Sequence, residues 1–599
     1  MKTSSFKIPK DNASLAALFD MDFFPSEGAA IGGRCEIFDT ARRIVQNSKI
    51  EAMIRAWRTE DRGDKRPGPS PWLSEVQVTT LMIVLTLSHR PPLFTEMRDL
   101  LRHTPVETLV SIGIDMPDEI SDDALYHRAY NTYQRLIEVM NPEPGLPNYL
   151  MTKTQAAQWL ESTRTEQNEV RRARAHAFAN ALSHGTWLLL PRKVRRAYKG
   201  DLAFDATVVA SPAPAKGRTR REPPPGDPNP RYGSSDPGAN WYTRKGNHDG
   251  TKSTARADTK YTRTQEILLW ARELGTGVTY GKNVPTIIMT ITLDQPGKNI
   301  AKNTLACIDT LDGYGIPAGH FVADRAYLPG AKPRELALPL RARGHKLVFD
   351  YPRDHLGQQA SHGGALLIEG RWYSPGIPPL LREASADYFL RQKGDPRRID
   401  TKTYAERIRQ REPYLLHRKE RADADGFQRF QCPAVGASAT TRCPYREPHT
   451  KTVDRPLTRL LPVLLPKPRP QVCEQQTITI PPSAGAKYEQ EYAYRSKRWL
   501  EHYIPGRQSV ESLNSSIKHG AFLPIDDPQK RPRRGWIAQY FALASMVVAM
   551  NTRKIIDWLI GQIGVTSISS APVERAERRE LDPGWTSTPN APPGIPDAA

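Results

Sequence analysis

Apolar residues recur at spacings of three and four from Trp72 to about Glu138, which predicts helices with buried stripes. Leu81, Val84 and Leu85 form one stripe, and Leu93, Met97 and Leu100 form another. Ser121-Asp122-Asp123 supplies an N-cap for a helix that carries Tyr126, Tyr130, Tyr133 and Ile137 on one face. Ser48, with Glu51 three residues on, reads as a capping box that opens a short helix over 48–57. Residues 1–47 show no strong periodicity, and 155–182 make an Arg-rich helical block.

At Gly200 the pattern changes to alternation. Residues 201–210 predict a strand with Leu202, Phe204 and Val208 on one face and Asp205 and Thr207 on the other. Residues 211–260 are polar and dense in Pro, Gly, Arg and Lys, and predict a loop. Strands follow over 277–280 and 286–293, a helix over 299–311, a strand over 321–323, a helix over 334–343 and a strand over 345–349. Strands first, then helix alternating with strand, predict a mixed α/β sheet flanked by helices. Helical spacing returns over 496–518 and 536–559. The chain thus divides into an N-terminal, partly irregular segment (1–71), an all-α domain suited to DNA docking (72–195), the first part of an α/β core (196–355), a β-leaning insertion (356–495), the second part of the core (496–565) and a disordered, Pro-rich tail (566–599).

Composition narrows the partners. The chain has 599 residues, and 85 Lys+Arg against 65 Asp+Glu give a net charge of +20. Such a balance favours a polyanion, because each neutralised phosphate releases condensed counterions. The longest apolar runs fall short of the ~20 residues a membrane span needs, and the start of the chain has no signal-peptide pattern. Five cysteines make no disulfide framework. The expectation is a reducing, cytoplasmic protein that touches nucleic acid and no membrane.

Three acidic residues stand out by setting. Asp205 lies within a strand, where Asp is depleted, and Asp324 ends the apolar strand 321–323. On a helix, Arg507, Glu511, Asn514 and Lys518 fall at i, i+4, i+7 and i+11 in one narrow polar stripe, beside an apolar stripe of Val510, Leu513 and Ile517. Each taken singly also fits a bland role: a strand-end turn for Asp324, or a solvated Arg–Glu pair for the helix.

Taken together, these residues resemble the acidic triad of the DDE-type transposases of bacterial insertion sequences. Arg507, three residues, Glu511, six residues, Lys518 is similar to the Tyr–Arg–Glu–Lys signature of one large transposase group, and Asp324-Arg-Ala-Tyr327 is similar to that group's second motif. Tyr503 stands one residue further from Arg507 than the signature tyrosine does. The resemblance covers about residues 196–560 and implies a ribonuclease H-like core with a β-rich insertion between the second Asp and the Glu, for which the 186 intervening residues leave room. It implies Asp205, Asp324 and Glu511 as catalytic ligands of Mg²⁺ or Mn²⁺, and DNA contacts from Arg507, Asn514, Lys518, Arg325 and Tyr327. The implied activity is cleavage at transposon ends followed by strand transfer into target double-stranded DNA, by a homodimer or higher multimer. A nuclease without strand transfer, or a catalytically silent domesticated DNA-binding protein, are the alternatives.

Two weaker features remain. Cys432, Cys443, His449 and Cys473 could form a Zn²⁺ site in the insertion, although their spacing matches no compact zinc motif. The basic stretch 216–260, with Trp241 and Tyr242, could wrap DNA or act as a spacer. A P-loop is absent, so nothing indicates ATP dependence.

Overall fold

The computed structural model describes residues 35–63, 71–213, 234–245, 266–390, 394–436, 439–446, 460–519 and 523–563. Counting helices of ten residues or more, the chain opens with α1 (Cys35–Ser48), α2 (Ile50–Arg62), α3 (Glu75–Leu87), α4 (Phe94–His103), α5 (Asp122–Glu138), α6 (Lys153–Ser162) and α7 (Glu166–Trp187). Every residue of α3 from Val78 to Thr86 is buried, so this helix has no polar face and forms the centre of the helical layer. Its start is fixed by Ser74 and Gln77, each side chain accepting from the other's backbone amide. The expected Ser121 cap forms on α5.

The N-terminal segment departs from expectation. Residues 35–48 form a regular helix that buries Phe38, Ala41, Ile44 and Val45. It lies against α7 at Gly185, where a Cβ would stand 2.4 Å from the Ile44 carbonyl oxygen. The capping box at Ser48 does not form. Ser48 instead ends α1, its hydroxyl donates back to the Val45 carbonyl at 2.5 Å, and α2 starts after Lys49 in the left-handed region.

The α/β region is one six-stranded sheet of order β2-β3-β1-β5-β6, with β4 also paired to β3. Its strands are β1 (Leu202–Ala210), β2 (Asn240–Lys245), β3 (Glu266–Thr279), β4 (Ile288–Asp294), β5 (His320–Ala323) and β6 (Lys346–Phe349). β1 and β4 each run antiparallel to β3, whereas β5 and β6 run parallel to β1. The strand β2 corrects the loop expected over 211–260, and β3 begins eleven residues before the strand expected at 277. The first half of β3 is an unbroken apolar run, Ile267 to Ala271, without the alternation that marks a strand by period. The helix expected over 334–343 is broken at Leu336, with a short 3₁₀ turn before it and Ala337–Ala342 after it.

The outer edge of β4 would expose unpaired backbone groups. Asn180 of α7 accepts from Ile291 N at 2.7 Å and donates to its carbonyl at 3.0 Å. Asn551 does the same for Ile288, at 2.9 and 2.7 Å. Each side-chain amide stands in for a peptide of a missing neighbour strand. Asn551 belongs to α11 (Trp536–Ile563), which follows α8 (Ile300–Gly313), α9 (Thr401–Gln410) and α10 (Lys497–His519) in chain order.

One hydrophobic core joins the N-terminal helices, the sheet, α10 and α11, running from Phe38 to Leu559 and passing over the insertion. The insertion keeps three small cores of its own and two three-stranded sheets, together with short helices and α9. The strand expected at 477–480 is present. The tail, 566–599, lies outside the described residues.

Candidate active site

The parallel register of β1 and β5 pairs Phe204 with Ala323. One step further along, Asp205 and Asp324 therefore stand beside each other on neighbouring strands, roughly 5 Å apart in backbone spacing. The Asp324 carboxylate accepts from Ala326 N at 2.8 Å, closing a turn at the strand end, and Asp205 accepts from Ala206 N at 2.9 Å.

Helix α10 crosses the face that carries these aspartates. Val510, Leu513 and Ile517 are buried as the apolar stripe predicts. Gly506 sets the approach, since a Cβ there would stand 2.9 Å from a Val322 side-chain methyl. The next residue, Arg507, reaches both sides of the cleft. It donates to Glu511 Oε1 at 2.8 Å and makes an ion pair with Asp205 Oδ2 at 3.3 Å. Arg507 is largely covered, at 17% side-chain exposure, while Glu511 is open to solvent at 58%. The geometry thus brings Asp205, Asp324, Arg507 and Glu511 to one place.

The electrostatics of this place are strained. The Asp205 carboxyl is pushed up to about 6 by burial, against the pull of Arg507, and Asp324 and Glu511 add to the rise. A fourth carboxylate shares the field. Burial raises Glu273 of β3, which accepts from Gly297 N at 2.9 Å, and Asp205, Asp294 and Asp324 raise it further. Glu273 lies outside the strand expected over 277–280, so the signal that marks Asp205, an acidic residue inside a strand, arises here only from the longer β3.

The other expected contacts divide. Asn514 is 8% exposed and its Oδ1 is buried without a hydrogen-bond partner among the described residues. Lys518 is 3.6 Å from Asp526. Arg325 grips Asp350 with two nitrogens, at 2.9 and 3.0 Å, and Tyr327 is 5% exposed. Arg325 is thus paired with Asp350 at the end of β6, and Tyr327 is buried beside the Asp324 turn. Tyr503 is buried and stacks on Trp499 at 4.2 Å.

As metal sites the groups differ. Among the described residues, one set of His, Cys, Asp and Glu donor atoms lies within 4.8 Å of one another and could hold a metal ion: Asp201, His320 and His502. Asp205, Asp324 and Glu511 are more widely spaced, with the Arg507 guanidinium between two of them. Cys432 and Cys473 are buried, Cys443 is half-buried, and all three are free thiols that do not form such a set. Burial and the neighbouring Cys432 and Cys443 push Cys473 up to about 12. His449 lies outside the described residues, as does most of 216–260, of which Trp241 and Tyr242 belong to β2. Among the described residues, no helix is long and apolar enough to cross a membrane. No protein-family model matches the chain, and neither the curated proteins nor the solved structures include one significantly similar to it.

Proposed function

We propose that this protein is a DDE-type transposase with a ribonuclease H-like core, which cleaves transposon ends and joins them to target DNA. The observation that carries the reading is the meeting of Asp205 and Asp324, side by side on parallel strands, under the helix that presents Arg507 and Glu511. A ribonuclease H-like core, an antiparallel trio extended by two strands parallel to the first, accounts for the strand order. The net charge of +20 suits a double-stranded DNA partner, bound by a multimer in the cytoplasm.

The three carboxylates offer oxygen donors only, the chemistry that Mg²⁺ prefers, and the burial of Asp205 is not offset by Arg507. Asp205, Asp324 and Glu511 would hold Mg²⁺, or Mn²⁺ in its place, which supplies activation of the attacking oxygen and stabilisation of the leaving 3′ oxygen. Arg507 has a buried terminal nitrogen without a hydrogen bond, available to a phosphate once Asp205 turns to a cation. Lys518 and Asn514 extend the same polar stripe along α10 for the DNA backbone.

The test uses labelled DNA carrying the sequence that flanks the gene, with Mg²⁺. Wild type should nick at a defined end and form joined products. Glu511→Gln should lower cleavage by about 10²–10³-fold, the loss that follows removal of a transition-state charge stabiliser, while DNA binding stays within a few-fold. Cleavage that survives Glu511→Gln sinks the triad assignment. Cleavage without joined products would reduce the activity to that of a nuclease.

A further inference from the structure

At the other end of the same two strands lies a second cluster of donors, which strand transfer does not use. Asp201 precedes β1, His320 opens β5, and His502 sits in the first half of α10. Asp201 Oδ1 accepts from the His320 backbone amide and faces its Nδ1, both at 2.8 Å. The far nitrogen of His320, Nε2, is 2.8 Å from the Tyr492 hydroxyl, and His502 Nδ1 is 3.3 Å from the Tyr280 hydroxyl. Each imidazole thus has one nitrogen oriented by a tyrosine, the arrangement in which an outer partner fixes the ring of a metal-binding histidine.

Two imidazoles and one carboxylate suit a borderline ion such as Zn²⁺ and are a poor match for Mg²⁺, which takes oxygen donors. We propose that Asp201, His320 and His502 form a structural site for a zinc-class divalent ion, separate from the carboxylates of the candidate active site. The ion ties the first half of α10 to the N-terminal ends of β1 and β5. His502 precedes Arg507 by five residues and Glu511 by nine on one helix, so this tie sets where both stand over Asp205. The existence of the site stands independently of the strand-transfer reading; only this positioning role rests on it.

The rings of His320 and His502 stack with centroids 3.6 Å apart and planes 24° from parallel. With metal–nitrogen bonds of ~2.0–2.1 Å, two imidazoles in adjacent positions on one ion need centroids roughly 4.4 Å apart or more. Binding therefore parts the stack by roughly 1 Å, and His502, the less buried of the pair, is the ring free to move.

The test measures metal, not cleavage. The full chain is stripped with chelator, equilibrated with Zn²⁺, desalted and assayed for bound zinc, with affinity taken from competition against a chromogenic chelator. Wild type should retain one zinc per chain. His502→Ala, folded by circular dichroism, should lose affinity by more than the roughly 10–100-fold that removing an outer partner costs. Asp205→Asn and the Cys432→Ser, Cys473→Ser double variant should bind as wild type does. Cobalt in place of zinc should give no sulfur-to-metal charge-transfer band. A wild type that retains no zinc, zinc that persists in His502→Ala, or zinc that vanishes only in the cysteine variant would each overturn the proposal.

Discussion

Asp201 and Asp205 lie four residues apart on one strand segment, both largely shielded from solvent, and their environments push them in opposite directions. Burial works against ionising Asp201, but hydrogen bonds from the His320 ring and amide more than offset it, and its carboxyl falls below the ordinary range. Burial works against ionising Asp205 as well; there Arg507 is outweighed, and Asp324 and Glu511 add like charge. One end of the β1–β5 pair is satisfied by the protein's own groups. The other holds a buried carboxyl whose desolvation Arg507 does not offset, which is the condition that the proposed binding of a cation there calls for.

The largest effect expected from breaking this contrast is at the satisfied end. Asp201→Ala leaves the mostly buried His320 without the acceptor that holds its ring and its backbone amide. Losing a charged acceptor of two buried donors costs about 3 kcal/mol, which chemical denaturation at pH 7 in chelator would show as a lower midpoint at unchanged m-value. An unchanged midpoint would mean that the two ends do not differ in the way described.

Asp205→Asn should move stability the other way. A carboxyl raised from 3.8 to about 6 on folding favours the protonated native state, so its contribution is greatest below about pH 4 and declines as pH rises through 6. Above that, the ionised native carboxylate costs on the order of 3 kcal/mol, which asparagine does not incur. In chelator the variant should therefore melt above wild type at pH 7–8, with the gain shrinking to nothing near pH 4. Added Mg²⁺ should raise the midpoint of wild type and leave that of the variant in place. A variant that is less stable at pH 7 would show that Arg507 neutralises Asp205 fully.

The acidic triad was legible because each member broke a local rule: Asp205 and its depleted strand position, Asp324 at the end of an apolar run, Glu511 in a polar stripe beside a buried one. The metal-capable triad was not legible. Its members follow no spacing, and only the parallel register of β1 with β5 and the crossing of α10 bring them together. The same holds for Asn180 and Asn551, ordinary helix positions in sequence that become edge caps once β4 is placed. Helix α1 is a different case. Phe38, Ala41, Ile44 and Val45 carry helical spacing, but the Ser48–Glu51 pair drew the predicted helix start to the point where α1 ends.

The smallest change sharpens the contrast most, because it touches one end only. Tyr280→Phe removes the hydroxyl 3.3 Å from His502 Nδ1 and leaves the buried ring in place. A neutral hydrogen bond of that length contributes at most about 1 kcal/mol, so the metal-free midpoint should fall by less than half of the Asp201→Ala loss. His502 then lacks the partner that orients its ring, and zinc affinity should drop about 10-fold, short of the His502→Ala loss. Cleavage at saturating zinc and Mg²⁺ should match wild type, because the charge balance around Asp205 is untouched. A loss of cleavage that zinc does not restore would mean that the hydroxyl of Tyr280 acts on the far end through the sheet itself, and that the two ends of β1 and β5 are one site.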